Sequence, residues 1–308
     1  MSSCTACAGE RRRLALSYPA TTVMAVIAAM TFSASGAAPT PLYHQYQQSF
    51  GLTPFMLTIV FAAYVLSLLS ALLTVGSLSD YIGRRPAILA ALLLNIAAMV
   101  MFMTAGSALA LIAARSVQGF ATGLATATLG AAILDTDRRR GAILNSITAF
   151  GGLTAGSLGA AILVSYAPAP GELVYFILLV LSAAEAFVLG HMPETAQPKP
   201  GAIAALRPHV SVPKPAWGAL ARVTPVTIAS WALGGFYFSL MPALVRIAAG
   251  ATLPLVGGLV VSALTLSGAL SVLSLRSIAA GDSSAAGRWR WRRASRSRSP
   301  ASRSSSSG

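Results

Sequence analysis

The chain has 308 residues, of which 55% are hydrophobic and only 10% are charged, and its formal net charge is +14. Soluble globular domains carry about 25% charged residues, so this composition excludes an ordinary soluble enzyme and a disordered interaction protein. The long unbroken apolar runs also exclude a transmembrane β-barrel, whose strands alternate over about 10 residues. The class that remains is an all-α polytopic membrane protein.

Eight apolar runs are long enough to cross a bilayer, which takes about 20 residues in a helix. Because lipid offers the backbone no hydrogen-bond partner, each run is predicted to be a helix. The predicted spans, in chain order, are Tyr18–Ala38, Pro54–Ser77, Ala87–Ala105, Ala108–Leu134, Ala142–Ala167, Glu172–Gly190, Val223–Ala248 and Pro254–Leu275.

The spacing of these runs divides the chain into five segments. Six spans lie close together, a polar and proline-rich stretch follows, and two more spans come after it. The predicted segments are a cytoplasmic N-terminus (1–17), a six-helix bundle (18–191), a central cytoplasmic linker (192–222), two helices of an incomplete second bundle (223–276) and a disordered Ser/Arg-rich tail (277–308).

Lysine and arginine fall on one side of the predicted membrane. The loops around residues 39–53, 105–107, 168–171 and 249–253 contain neither residue, whereas the alternate loops and the N-terminal segment are basic. The positive-inside rule therefore places both termini in the cytoplasm and the protein in the cytoplasmic (inner) membrane. The positive charge follows from this topology and suits an anionic lipid leaflet, so no nucleic-acid partner is expected.

The loop between the second and third spans reads Gly-Ser-Leu-Ser-Asp-Tyr-Ile-Gly-Arg-Arg over residues 76–85. It closely resembles the signature loop of the major facilitator superfamily, with Tyr81 where that family usually has Arg. The resemblance implies a six-helix bundle of that kind followed by the first two helices of a second bundle. It also implies a cytoplasmic gate, whose residues would be Gly76, Asp80, Gly83, Arg84 and Arg85.

The residue types of this loop allow two interpretations of its role. Gly83 can take a positive φ in a very short turn, and Asp80 lies among cations where it can form an ion pair with a partner helix. Alternatively, the loop is only a topology anchor, since Arg84 and Arg85 hold it on the cytoplasmic side.

Three further stretches resemble motifs of the same family at the matching places. Residues 115–119, Arg-Ser-Val-Gln-Gly, resemble its Arg-x-x-Gln-Gly element, and 192–195 resemble its Pro-Glu-Thr exit from the sixth span. Residues 152–157 resemble its Gly-rich antiporter motif, with Ser157 in place of the usual Pro. Because small residues let helices approach closely, we interpret three glycines as helix-packing residues: Gly119, Gly152 and Gly156.

Polar side chains inside the spans are the candidates for coupling or substrate contact. Arg115 lies two turns into its span, where an Arg costs roughly 2.5–3.5 kcal/mol, and it shares a helix face with Gln118. Glu185 is the acidic residue deepest in a span, and an apolar setting favours its neutral form, which suits a group that takes up and releases a proton. The alternative for Glu185 is a structural hydrogen bond to a neighbouring helix. Tyr64 is either a substrate contact or part of an aromatic core.

The family resemblance implies a secondary active transporter of a small organic solute that is coupled to protons and works by alternating access, with efflux as one direction. Its partners would be the solute, protons and the lipid bilayer. No enzyme activity or cofactor is expected, because the sequence has no recognisable metal cluster, nucleophile–base set or phosphate loop. No metal is expected either, because Cys4 and Cys7 form an isolated pair and a metal site needs about four ligands.

The tail leaves two alternative functions open. From Gly281 onward the sequence has no aliphatic residue larger than Ala and is dominated by Ser and Arg, as a GC-rich gene read out of frame can produce. The first alternative is therefore a non-transporting, truncated or frameshifted fragment of such a transporter. The second is a membrane assembly subunit whose basic tail binds lipid or nucleic acid.

Overall fold

The computed structural model describes residues 17–196, 199–201, 217–250 and 255–274, and within these ranges the chain is helical with no strand. The described helices are α1 (Tyr18–Ala37), α2 (Tyr43–Phe50), α3 (Pro54–Val75), α4 (Ser79–Ile82), α5 (Arg84–Met103), α6 (Ala108–Thr136), α7 (Gly141–Tyr166), α8 (Pro170–Leu189), α9 (Trp217–Ser239), α10 (Met241–Ala249) and α11 (Leu255–Ser274). Seven of these described helices are long and apolar enough to cross a membrane: α1, α3, α5, α6, α7, α8 and α11.

Seven of the eight predicted spans match these helices to within a few residues, which confirms the all-α polytopic class. The predicted span Val223–Ala248 differs, because α9 begins earlier, at Trp217, and ends at Ser239, before α10 begins at Met241. Pro242 accounts for the break, since it has no N–H with which to continue the hydrogen-bond ladder of α9. The short helix α2 was not predicted.

Local capping explains where several membrane helices begin. The hydroxyls of Ser17, Thr53 and Ser107 precede α1, α3 and α6, and each accepts a hydrogen bond from a backbone N–H three residues on. Such caps satisfy N–H groups that have no partner inside the helix. The apolar runs are thus bounded by polar groups that fix the helix ends.

Helix α6 lies at the centre of the first bundle. It packs against α3, α5 and α1, while α1 also packs against α7, and α5 against α8. Glycines allow the closest approaches: a Cβ on Gly119 would collide with Tyr64 O of α3, and one on Gly152 would lie 2.5 Å from Met30 O of α1. A Cβ on Gly156 would collide with Ala34 O of α1.

Helix α11 attaches to this bundle through α7. The hydroxyls of Thr154 and Thr265 are 2.7 Å apart, and those of Ser157 and Ser262 are 2.8 Å apart. Helix α9 contacts α3, where the rings of Phe61 and Phe238 stack with centroids 6.4 Å apart.

The predicted Ser/Arg-rich tail, the N-terminal segment with its cysteine pair, and residues 202–216 of the predicted linker lie outside the described residues. The segment boundaries therefore stay predictions.

Candidate functional site

Arg84 connects three parts of the loop region between α3 and α5. Its side chain is largely buried, and Nη1 lies 2.6 Å from Asp80 Oδ1 while also donating to Ser79 Oγ. Its Nε lies 3.2 Å from Asp135 Oδ2, at the end of α6. Asp80 is thus paired with the arginine four residues on, and the bond to another membrane helix is made by Arg84. Asp135 was not singled out in the sequence, because 51 residues separate it from Arg84.

Glu194, just after α8, caps the start of α5. Its two carboxylate oxygens accept from the backbone N–H groups of Arg84, at 2.7 Å, and Arg85, at 3.1 Å. Arg85 returns the contact, since its Nη2 donates to Gly190 O at 2.7 Å. A negative charge at a helix N-terminus also interacts favourably with the helix dipole. The Pro-Glu-Thr segment is therefore hydrogen-bonded to the start of α5 and connects it to the end of α8.

Gly83 leaves room for the Glu194 carboxylate to bind the start of α5. Its φ of +99° belongs to the region that favours glycine, and a Cβ there would lie 2.6 Å from Glu194 Oε2. Gly76 lies at the other end of the loop, where it follows the last residue of α3 with ordinary helical geometry. Of these two glycines, Gly83 is therefore the one whose backbone conformation favours glycine.

Arg115 lies inside the bundle with no exposed surface. Its Nη1 donates to Gly36 O at 3.0 Å and to Gln118 Oε1 at 2.7 Å, and its Nη2 donates to the Tyr43 hydroxyl at 2.5 Å. Nε has no hydrogen-bond partner, and within the part of the chain that the structure describes no carboxylate forms an ion pair with this guanidinium.

Three aromatic rings compensate the buried charge of Arg115. Its guanidinium carbon lies 5.2–5.8 Å from the ring centroids of Tyr43, Tyr64 and Phe102. Such cation–π contacts are worth about 2 kcal/mol or more when desolvated. Tyr64 thus contacts Arg115 directly. Tyr43 belongs to the unpredicted helix α2 and was missed in the sequence.

Helix α2 is held over this region by a second tyrosine. The hydroxyls of Tyr46 and Tyr175 lie 2.9 Å apart, and the Tyr175 ring stacks on Phe102 with centroids 4.7 Å apart. Burial raises the pKa of the Tyr46 hydroxyl to about 12, so it stays neutral at physiological pH. Helix α2 is therefore anchored by neutral hydroxyls as well as by its contact with Arg115.

Glu185 is buried on α8, away from Arg115. Its Oε1 accepts from the Thr31 hydroxyl at 2.5 Å, and its Oε2 has no hydrogen-bond partner. The structure does not pair Glu185 with Arg115, but both contact α1. Gln118, which binds Arg115, also donates to Ser35 O at 2.7 Å, one turn along α1 from Thr31.

A cavity of about 150 Å³ lies between α1, α6 and α7. Ser33, Thr126 and Asn145 contribute its polar wall, and Phe32 and Leu129 belong to its apolar wall. The described residues that line it carry no formal charge. Over the described ranges, no group of three or more His, Cys, Asp or Glu side chains could hold a metal ion.

A family model described as Major Facilitator Superfamily matches residues 22–299. The match begins within α1 and covers the loop around Arg84, the buried Arg115 and Glu185. No curated protein matches the chain.

Proposed function

The chain belongs to the Major Facilitator Superfamily, a family of membrane transporters rather than enzymes, and we propose that it carries a small organic solute across the cytoplasmic membrane by proton-coupled alternating access. The two termini face the cytoplasm in this proposal, and the bilayer is the protein's other partner. The observation that carries it is the fully buried Arg115, whose charge has no carboxylate partner among the described residues.

A buried cation without a carboxylate partner is costly in a membrane helix, and such residues mark solute or ion pathways. Arg115 keeps three directional bonds and three aromatic neighbours, so its position is fixed rather than adaptable. We propose that Arg115 and Gln118 respond to the charge of the proton-binding group or of the solute. Tyr64, which stacks on Arg115, is the proposed solute contact.

Glu185 is the proposed proton-binding group. It is the one membrane-embedded carboxyl of the first bundle that combines burial with an oxygen free of hydrogen bonds. Losing the proton would create a negative charge in a medium of low dielectric constant, where Coulomb interactions act over long distances. Since both Glu185 and Arg115 contact α1, deprotonation would change the forces on that helix.

The proposed solute site is the cavity between α1, α6 and α7. Its wall is apolar with hydroxyl and amide groups, which suits a solute that is neutral in the part it buries there. The cavity borders α1, which also contacts Glu185 and the Arg115 group, and a coupled movement of α1 would therefore reach the solute.

The cytoplasmic gate is the proposed role of the loop that contains Gly76, Asp80, Gly83, Arg84 and Arg85. Arg84 joins the loop to α6, and Glu194 joins α8 to α5, so opening this side requires separating these contacts. Asp80 and Asp135 are each partly exposed to water, which keeps the ion pairs weak enough to open repeatedly.

Solute-induced proton flux in proteoliposomes tests the proposal. The protein would be reconstituted with a pH-sensitive dye inside the vesicles and exposed to a panel of small organic solutes. We expect at least one solute to move protons, and Arg115→Ala to abolish that flux. The matched control is Thr128→Val, because the buried Thr128 hydroxyl bonds only Leu124 O of its own helix. Absence of flux with every solute would contradict the proposal and favour a non-transporting protein.

A further inference from the structure

Asn95 lies in the middle of α5 with no exposed surface and reaches two other helices. Its Nδ2 donates to Ser35 Oγ of α1 at 3.3 Å and to Ser182 Oγ of α8 at 3.0 Å. Its Oδ1 has no hydrogen-bond partner. No short-range sequence pattern singled out Asn95, because its partners are 60 and 87 residues away.

Glu185 lies one helical turn from Ser182 on the same face of α8, and its Oε2 is the second buried oxygen in this region without a partner. Thr31 bonds only the other carboxylate oxygen. A buried acceptor without a hydrogen bond is energetically unfavourable. Each of these two oxygens, which belong to one polar cluster, therefore lacks a hydrogen-bond donor.

Within the part of the chain that the structure describes, no charged side chain is bonded to Glu185 to supply that donor. Helix α8 packs against α5, α1 and α7. The remaining titratable side chains of these four helices lie near their ends, or two to three turns away on α8: Tyr18, Arg84, Arg85, Tyr166, Glu172 and Tyr175. Arg115, on α6, is bound to Gly36, Gln118 and Tyr43 instead.

We propose that Asn95 is a positioning residue that recognises the protonated form of Glu185. A proton on Glu185 Oε2 converts that oxygen from an unsatisfied acceptor into a donor, and the Asn95 Oδ1 is an acceptor that requires one. In this proposal the O–H group donates to Oδ1 directly or through one bridging water. The inference rests on the proposed role of Glu185 in proton binding.

In this arrangement Ser35 and Ser182 orient the Asn95 amide. Because Ser35 and Ser182 both accept from Nδ2, they orient the amide so that Oδ1 points away from them. Replacing either serine would allow the amide to turn and remove the acceptor. Asn95 therefore connects α1, α5 and α8 by hydrogen bonds. In this proposal all of its polar atoms are hydrogen-bonded only when Glu185 carries its proton.

Infrared difference spectroscopy tests this without any solute. The C=O stretch of a protonated carboxyl moves to higher wavenumber when its O–H loses a hydrogen-bond acceptor. On reconstituted full-length protein, Glu185→Gln should remove one pH-sensitive band and so identify it. Asn95→Leu should shift that band to higher wavenumber, whereas Thr128→Val should leave it in place.

Ser182→Ala provides a second variant if Asn95→Leu does not fold, and it should shift the same band. An unshifted band in either folded variant, or no band that depends on Glu185, would overturn the inference. The outcome is separable from the proposed function. A shifted band in a protein without solute flux would refute transport alone, and flux that depends on Glu185 with an unshifted band would refute only the role of Asn95.

Discussion

The Nη2 of Arg115, two turns into α6, donates to the hydroxyl of Tyr43 on α2 across 2.5 Å. This bond joins the buried cation of the bundle to a short helix that lies outside the membrane-spanning segments. Helix α2 therefore covers the Arg115 group from the side opposite the loop between α3 and α5. Any movement of α2 changes the surroundings of the charge that we place at the centre of transport.

Tyr43→Phe keeps the ring beside Arg115 and removes only the hydroxyl. Because a hydrogen bond to a charged group contributes about 1.5–3 kcal/mol, we expect the free energy of unfolding to fall by about that amount and transport to slow. Thermal unfolding in detergent measures the first effect and proton flux the second. Tyr166→Phe is the control, since the Tyr166 side chain is exposed. Equal behaviour of the two variants would argue against a role for the contact.

The pairing of Arg84 with Asp135 can be measured by a double-mutant cycle. Arg84→Gln and Asp135→Asn should each weaken the packing of the loop on α6, and the double variant should lose less than the sum. We expect a coupling energy of about 1 kcal/mol, since one partner is buried and the other partly exposed. The measurement is unfolding in mixed micelles, with the exposed Arg138 replaced by Gln as the charge-matched control. Strict additivity would show that the contact contributes nothing.

Gly83→Ala tests the steric basis of the loop. The substitution places a Cβ where φ is +99° and where Glu194 Oε2 would be 2.6 Å away, so we expect a loss of about 1–3 kcal/mol in the free energy of unfolding. In Gly159→Ala the new methyl meets nothing within 4 Å, and a helical Ala is favoured over Gly by about 1 kcal/mol. The two variants should therefore move in opposite directions, and a stabilised Gly83→Ala would refute the steric account.

The orientation is testable by cysteine labelling. In a background with Cys4 and Cys7 replaced by Ser, we would introduce Cys at Gln48, exposed on α2, or at Arg139, exposed after α6. A membrane-impermeant thiol reagent applied to intact cells should label position 48 and spare position 139. Lysed cells should show labelling at both positions, which controls for accessibility. The reverse pattern in intact cells would invert the topology.

The membrane helices could be predicted because the bilayer imposes both their length and their apolar composition. The same reasoning could not find α2, whose eight residues from Tyr43 to Phe50 are short and partly polar. It also joined α9 and α10 into one span, since hydropathy does not register the missing N–H of Pro242.

The candidate site could be predicted only where its contacts are local. Arg115 and Gln118 are three residues apart, so helical spacing places them on one face, where they form a 2.7 Å bond. Tyr43 and Asn95 contribute through residues 60 to 87 positions away, which no short-range pattern reveals. For Asp80 the sequence suggested a partner on another helix, whereas the observed partner is Arg84 four residues on.

The most direct test of proton coupling compares two transport modes in Glu185→Gln. Once a transported solute is known, exchange of labelled for unlabelled solute across a proteoliposome membrane requires no net proton movement, whereas accumulation against a gradient does. We predict that Glu185→Gln retains exchange and loses accumulation driven by a proton gradient, while Thr128→Val retains both. Proton-driven accumulation at the wild-type rate in Glu185→Gln would contradict the account.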